Sequence, residues 1–256
     1  NGEILQVVGI GEQITSDLSL IEIDNTNSKV IGVVFGTSQG NIFCYNAFTF
    51  ELLWKKNISQ SPIISQPEVE KDKIVFISSN SSLYCVNLKT GSLNWKFEFS
   101  DKRNSYPNNY PISDGKNIFS LSPDGNLFAT DILLGKKIWS TNTKGALNQF
   151  YLSSDKQKLF LMNSNGVMTI YSAIDGREIR DIDFKKFRIF SFIIAENQEN
   201  TLVGFSDGSV NTFNTKYITS QSISPTQIPI TSLNVISKNE FIVKDINGKI
   251  TLYKIN

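Results

Sequence analysis

A chain of 256 residues, 40% of them hydrophobic, is long enough to bury a large core. Its formal net charge is +1, from 25 Lys and Arg against 24 Asp and Glu, so no global field selects nucleic acid or an anionic membrane surface. Histidine is absent, which removes the commonest general base, the usual nucleophilic triads and most zinc sites. No apolar run approaches the roughly 20 residues that a membrane-spanning helix needs.

The chain begins at Asn1 rather than Met, as expected of a trimmed or mature form, with room upstream for a signal peptide and a lipid anchor. Gly9-Ile10-Gly11 has no helix pattern after it, so a dinucleotide-binding reading fails on context. Short apolar runs then come in pairs. Residues 30–36 and 41–45 are split by Thr37-Ser38-Gln39-Gly40, residues 73–79 and 82–88 by Asn80-Ser81, and residues 118–121 and 127–132 by a turn containing Pro123-Asp124-Gly125. These are strands joined by hairpin turns, with no helical periodicity between them.

The pairs are copies of one unit. Turn residues Gly40, Ser81, Gly125, Gly166, Gly208 and Gly248 follow one another at steps of 41, 44, 41, 42 and 40. Six residues after each stand Asn46, Asn87, Asp131, Ser172, Asn214 and Lys254. Eight further on come Trp54, Trp95, Trp139, Arg180 and Ser222, so all three tryptophans share one repeat position. A period near 40–45 residues with four strands per unit is the signature of a propeller, whose blades bury their faces only by stacking. The expected fold is therefore all-β: a six-bladed β-propeller of four-stranded antiparallel blades, forming a single domain over residues 1–256. Trp54, Trp95 and Trp139 are expected to be buried between blades. Ile42, Leu83, Leu127, Met168, Val210 and Ile250, which also share one position, are expected to form the packing between blades.

The last copy stops where an outer strand should follow, and Asn1-Gly2-Glu3-Ile4-Leu5-Gln6 matches Thr90-Gly91-Ser92-Leu93-Asn94-Trp95 in register. Residues 3–8 are therefore expected to pair with residues 251–256 as the outer strand of the last blade, closing the ring and removing an open edge. Cys44 and Cys85 occupy one position of consecutive repeats and read as small buried side chains rather than a disulfide. Asp181 and Asp183 alternate along a strand and read as a solvated face.

Two inter-repeat links carry residues of the kind enriched at interfaces. Residues 101–111, inside the longest repeat step, present Arg103, Tyr106 and Tyr110 between Pro107 and Pro111. Residues 184–190 interleave Lys186 and Arg188 with phenylalanines; Phe187 and Phe190 there fit equally well the start of the next inner strand. Links between blades share one face of a propeller, so Arg103, Tyr106, Tyr110, Lys186 and Arg188 are the candidate docking residues for a protein partner. The same basic-aromatic mixture suits single-stranded nucleic acid, which the near-zero net charge disfavours.

The units 129–139, Ala-Thr-Asp-Ile-Leu-Leu-Gly-Lys-Lys-Ile-Trp, and 85–95, Cys-Val-Asn-Leu-Lys-Thr-Gly-Ser-Leu-Asn-Trp, resemble the PQQ-like β-propeller repeat, with its Ala-x-Asp-x-x-Thr-Gly-x-x-x-Trp core. The resemblance is strong in the first three copies and fades where Arg180 and Ser222 replace tryptophan. It implies that the tryptophans dock neighbouring blades. Of the branches it opens, the quinoprotein dehydrogenases have eight blades, an adjacent Cys-Cys pair and a calcium site, and the chain has no adjacent cysteines. The non-catalytic branch, typified by the BamB-like assembly lipoproteins of the bacterial outer membrane, implies a periplasmic protein-binding scaffold with no cofactor. A small-ligand-binding propeller and a luminal sensor module of a larger protein stay open as alternatives.

Overall fold

A computed structural model describes residues 6–25, 28–99, 110–143, 145–184, 192–197, 200–214, 220–223, 228–237 and 240–254. The chain divides into two compact units, Asn1–Asn142 and Thr143–Asn256.

The first unit holds three four-stranded antiparallel sheets, each a simple meander. They are built from β1 (Ser19–Asn25), β2 (Ser28–Gly36), β3 (Asn41–Asn46) and β4 (Leu52–Asn57); β5 (Glu68–Glu70), β6 (Lys73–Ser78), β7 (Ser82–Asn87) and β8 (Leu93–Glu98); and β9 (Ile112–Ser113), β10 (Asn117–Leu121), β11 (Asn126–Asp131) and β12 (Lys137–Asn142). The second unit continues with β13 (Ala146–Leu152), β14 (Lys158–Asn163), β15 (Val167–Ser172) and β16 (Glu178–Asp183), then β17 (Phe192–Asn197), β18 (Asn200–Phe205), β19 (Val210–Asn214) and β20 (Ser220–Ile223). It ends with β21 (Ile230–Ser237), β22 (Glu240–Asp245) and β23 (Ile250–Lys254).

Five sheets thus have the four strands of a propeller blade, and the sixth copy forms a three-stranded sheet, β21-β22-β23. This corrects the expectation of six complete blades. Of the closing strand, residues 3–5 and 255–256 lie outside the described residues, while residues 6–8 are described and form no strand. Residues 6–18 run instead as a strap into β1, with Ile14 making a single bridge to Thr37 just as Ile63 bridges to Ser78 before β5. The Ser16 and Ser65 hydroxyls accept the amides of Gly36 and Ile77 at 2.8 and 2.7 Å.

The middle strands of the second blade, β6 and β7, are buried on both faces because they have a blade on either side. Ile21, Val34, Ile42, Cys44 and Trp54 of the first blade pack against Ile74, Phe76, Tyr84 and Val86 of the second. Val75, Ile77, Leu83, Cys85 and Trp95 on the second blade's other face pack against Ile118, Phe128 and Ile132 of the third. In the second unit Met168, Ile170 and Ile182 meet Val203 and Phe205, and Leu202 and Val210 meet Leu233, Phe241 and Val243. Ile42, Leu83, Leu127, Met168 and Val210 are all fully buried, as the repeat predicts, but Ile250 is 66% exposed. It lies on β23, the last strand of its sheet among the described residues.

The tryptophan position has a geometric cause. The outer strand carries an irregularity in four consecutive blades, where Cys44, Cys85, Ala129 and Ile170 pair with Trp54, Trp95, Trp139 and Arg180 and the following register skips one residue. A bulge re-aims the side chain beside it. Opposite the three tryptophans stand the small side chains of Cys44, Cys85 and Ala129, all fully buried, which leave room for an indole. Trp54 then donates its Nε1–H to the Leu88 carbonyl at 3.1 Å and Trp95 to that of Ile132 at 2.9 Å, each in the next blade.

Trp139 departs from the expectation. It is only half-buried, with its ring 5.9 Å from Phe119.

Candidate functional site

In a meander the second-to-third-strand turns and the links to the next sheet emerge at one end, and the other two turns at the opposite end. Arg103, Tyr106, Lys186 and Arg188 lie outside the described residues. Tyr110 is described: it is exposed, just ahead of β9, and its hydroxyl donates to Asp17 Oδ2 at 3.0 Å on the strap of the first blade. Partial burial and the neighbouring carboxylate push the Tyr110 phenol up from its ordinary value. One of the five proposed residues is therefore placed at the link end of the first unit.

The same end carries a carboxylate that the sequence did not single out. Glu12, with a side chain only 6% exposed, sits over the turn between β2 and β3. Thr37 Oγ1 donates to its Oε2 at 2.6 Å, Asn41 Nδ2 to both carboxylate oxygens at 2.9 Å, and Lys55 Nζ to Oε1 at 2.8 Å. Lys55 also lies 4.6 Å above the Phe43 ring, and Asn57 extends the network through Asn41 Oδ1 at 3.0 Å. Burial raises the Glu12 carboxyl, and the bonds from Lys55, Thr37 and Asn41 outweigh that, so the group titrates below its ordinary value. A depressed carboxylate contributes stability above its unfolded pKa, and the contribution disappears as pH falls through the folded value. We therefore expect Glu12→Gln to cost about 1–3 kcal/mol at neutral pH, measured by chemical denaturation. The gap to wild type should shrink at acid pH, below the ordinary carboxylate range; a constant gap would remove the ionised carboxylate from the account.

The inner strands bring further carboxylates together without making a ligand set. Ser113 donates its amide to Glu68 at 2.8 Å and its hydroxyl to Glu70 at 3.3 Å, tying β9 to β5. No group of three or more His, Cys, Asp or Glu converges as a metal site among the described residues. Asp181 and Asp183 are exposed on β16, as alternation predicted. Cys44 and Cys85 are buried free thiols whose pKa burial raises to about 12, so neither is a ready thiolate nucleophile.

At the opposite end of the second and third blades lies a cavity of about 320 Å³ between the β5–β6 and β9–β10 turns and the β11–β12 turn. Sequence reasoning had no signal for it, since its lining comes from three turns that are separate in sequence.

These features define an all-β propeller-type protein whose first blades carry the tryptophan joint of PQQ-like repeats. Residues 27–149 match the family described as outer membrane protein assembly factor BamB, so this stretch, just under half the chain, carries the PQQ-like propeller repeat of that family. No curated protein matches the sequence significantly. Among solved structures the chain is similar to BamB from Moraxella catarrhalis, with TM-score 0.58 and 15% identity over 99% of this chain and 88% of that one. It is also similar to the C-terminal WD40 domain of Sif2, with TM-score 0.67 and 18% identity over 87% of this chain and 63% of that one. At these identities the structural likeness establishes the propeller fold alone.

Proposed function

We propose that this chain is a non-catalytic protein-binding scaffold with a BamB-like role in outer-membrane protein assembly, working at the bacterial cell envelope. The observation that carries the reading is the family match over residues 27–149, which falls on the blades where the Asn/Asp and tryptophan positions are intact. The complete lack of histidine and the inert character of both thiols favour binding over catalysis. Arg103, Tyr106, Tyr110, Lys186 and Arg188 are the residues proposed to contact the partner.

The test is binding of the purified chain to the periplasmic domains of the barrel-assembly protein from the same genome, followed by biolayer interferometry. Saturable binding is expected, weakened by about tenfold or more when the five residues are replaced together by Ser, with β circular dichroism and melting temperature unchanged. Absence of binding would overturn the assembly role. A rise of several degrees in melting temperature on adding pyrroloquinoline quinone with calcium would instead establish a cofactor-binding propeller.

A further inference from the structure

Asn-Gly occurs three times in the chain, at Asn1-Gly2, Asn165-Gly166 and Asn247-Gly248, and the first lies outside the described residues. The other two sit in the same kind of turn, between β14 and β15 and between β22 and β23. In each, a side-chain oxygen two residues earlier accepts both flanking amides. Asn163 Oδ1 takes those of Asn165 and Val167 at 2.9 and 3.1 Å, and Asp245 Oδ1 those of Asn247 and Lys249 at 2.9 and 3.0 Å. The glycine amide donates to the Asn163 carbonyl at 3.1 Å or the Asp245 carbonyl at 3.0 Å, and both glycines stand at φ 81. Locally the two turns are twins.

What stands around them differs. Gly166 is buried, and its carbonyl accepts the Phe184 amide at 3.1 Å; Phe184 itself packs into the core with Met168 and Phe205. Residues 246–250 are all exposed, an added Cβ at Gly248 would meet nothing within 4 Å, and β23 is the last strand of its sheet among the described residues. An asparagine side chain is thermally labile. It reacts with the next residue's nitrogen when that nitrogen swings toward its Cγ, a ring closure driven by proximity and least hindered where the next residue has no Cβ. Swinging Gly166 would break the Phe184 bond and disturb a packed core, whereas Gly248 moves in solvent and gives up its bond to the Asp245 carbonyl.

We propose that Asn247 is a site of spontaneous deamidation and isomerisation, and that the fold protects Asn165 from the same reaction. The Gly248 nitrogen loses its proton to solvent base, and its electron pair bonds to Asn247 Cγ. The Cγ–Nδ2 bond breaks, and Nδ2 takes a proton from water and leaves as ammonia. Water then adds at one of the two carbonyl carbons of the resulting succinimide ring. Cleavage between Cγ and the Gly248 nitrogen gives aspartate; cleavage between the carbonyl carbon of residue 247 and that nitrogen gives isoaspartate. One water is consumed and one ammonia released overall. Isoaspartate carries the main chain through Cβ and Cγ, so the amides of residues 247 and 249 no longer match the single Oδ1 of buried Asp245. A buried carboxylate left short of its donors loosens the β22–β23 hairpin. The reaction is independent of what the scaffold binds.

The test is storage of the purified, folded chain in warm, mildly alkaline buffer, followed by peptide mapping with mass spectrometry and labelling by a protein isoaspartyl methyltransferase. The fragment containing Asn247 is expected to gain the mass of amide-to-acid conversion as two separable products, with isoaspartate the methyl acceptor. It should convert about tenfold or more faster than the fragment containing Asn165, because the buried turn reacts only after local opening. In guanidinium chloride, where both turns are lost, the two rates should converge. Asn247→Gln should abolish conversion of its fragment, and hydrogen exchange across residues 250–254 should be faster in the converted chain than in the fresh one. An unchanged Asn247 fragment, aspartate without isoaspartate, an Asn165 fragment that keeps pace in the folded chain, a rate difference that persists in denaturant, or exchange over residues 250–254 unaltered by conversion would each overturn the proposal.

Discussion

Replacing Trp95 by Ala is expected to lower the free energy of unfolding of the first unit by about 3–5 kcal/mol. Trp54→Ala should cost a similar amount, and Trp139→Ala clearly less. Trp54 and Trp95 are 8% and 9% exposed, so truncation would open a cavity at a blade-to-blade joint. It would also orphan the Leu88 or Ile132 carbonyl that the indole now satisfies, a loss that adds to the packing term. Trp139 is half-buried and surrenders less area to water. Urea denaturation followed by intrinsic fluorescence of the remaining two tryptophans would measure all three. Equal costs at the three positions would mean that the repeat register, rather than the burial seen in the structure, sets the energetics.

The contrast among the tryptophans marks what a sequence repeat can and cannot reveal. Spacing made the hairpins, the turn glycines and the shared inward position readable, because strand alternation forces side chains at equivalent register onto the same face. Ile42, Leu83, Leu127, Met168 and Val210 follow that rule. Ile250 and Trp139 do not, because burial depends on what stands beside a strand, which spacing along the chain does not state. The Asn/Asp position was also visible, and its role is local. The side-chain oxygens of Asn46, Asn87 and Asp131 accept two amides each from the turn that follows, the Asx geometry that lets a short polar side chain stand in for backbone.

Functional features were less legible, for a related reason. Tyr110 could be singled out by type, but its partner Asp17 is 93 residues away. Glu12 followed a Gly-x-Gly that was set aside on context, and its four donor bonds come from β4, β3 and the β2–β3 turn. Polar substitutions inside the stack were likewise hidden. Ser120 and Thr130 of the third blade occupy the places of Phe76 and Val86 in the second, and their hydroxyl oxygens are buried without a hydrogen-bond partner among the described residues.

Gly135→Ala carries the other large expected effect, and it tests the joint from the opposite side. A Cβ at Gly135 would lie 2.6 Å from Cγ and Cδ2 of Trp95, and one at Gly91 would lie 2.5 Å from Cε3 of Trp54. Both glycines are at φ 66, in the left-handed region. Two penalties therefore add: about 1–2 kcal/mol for the backbone and about 1–3 kcal/mol for forcing an indole away from a packed joint. Phe50 stands at the corresponding place of the first blade with φ 58, so the turn itself tolerates a side chain and the steric part belongs to the tryptophan. Gly248→Ala isolates the backbone part, since φ is +81 there and an added Cβ meets nothing within 4 Å. It should cost only about 1–2 kcal/mol. In a Trp95→Ala background Gly135→Ala should shrink to that same figure, because the atoms it would strike are gone, leaving a coupling of about 1–3 kcal/mol in the double-mutant cycle. Additive costs would show that the glycine serves only its turn and that the Thr-Gly and Trp halves of the repeat are independent.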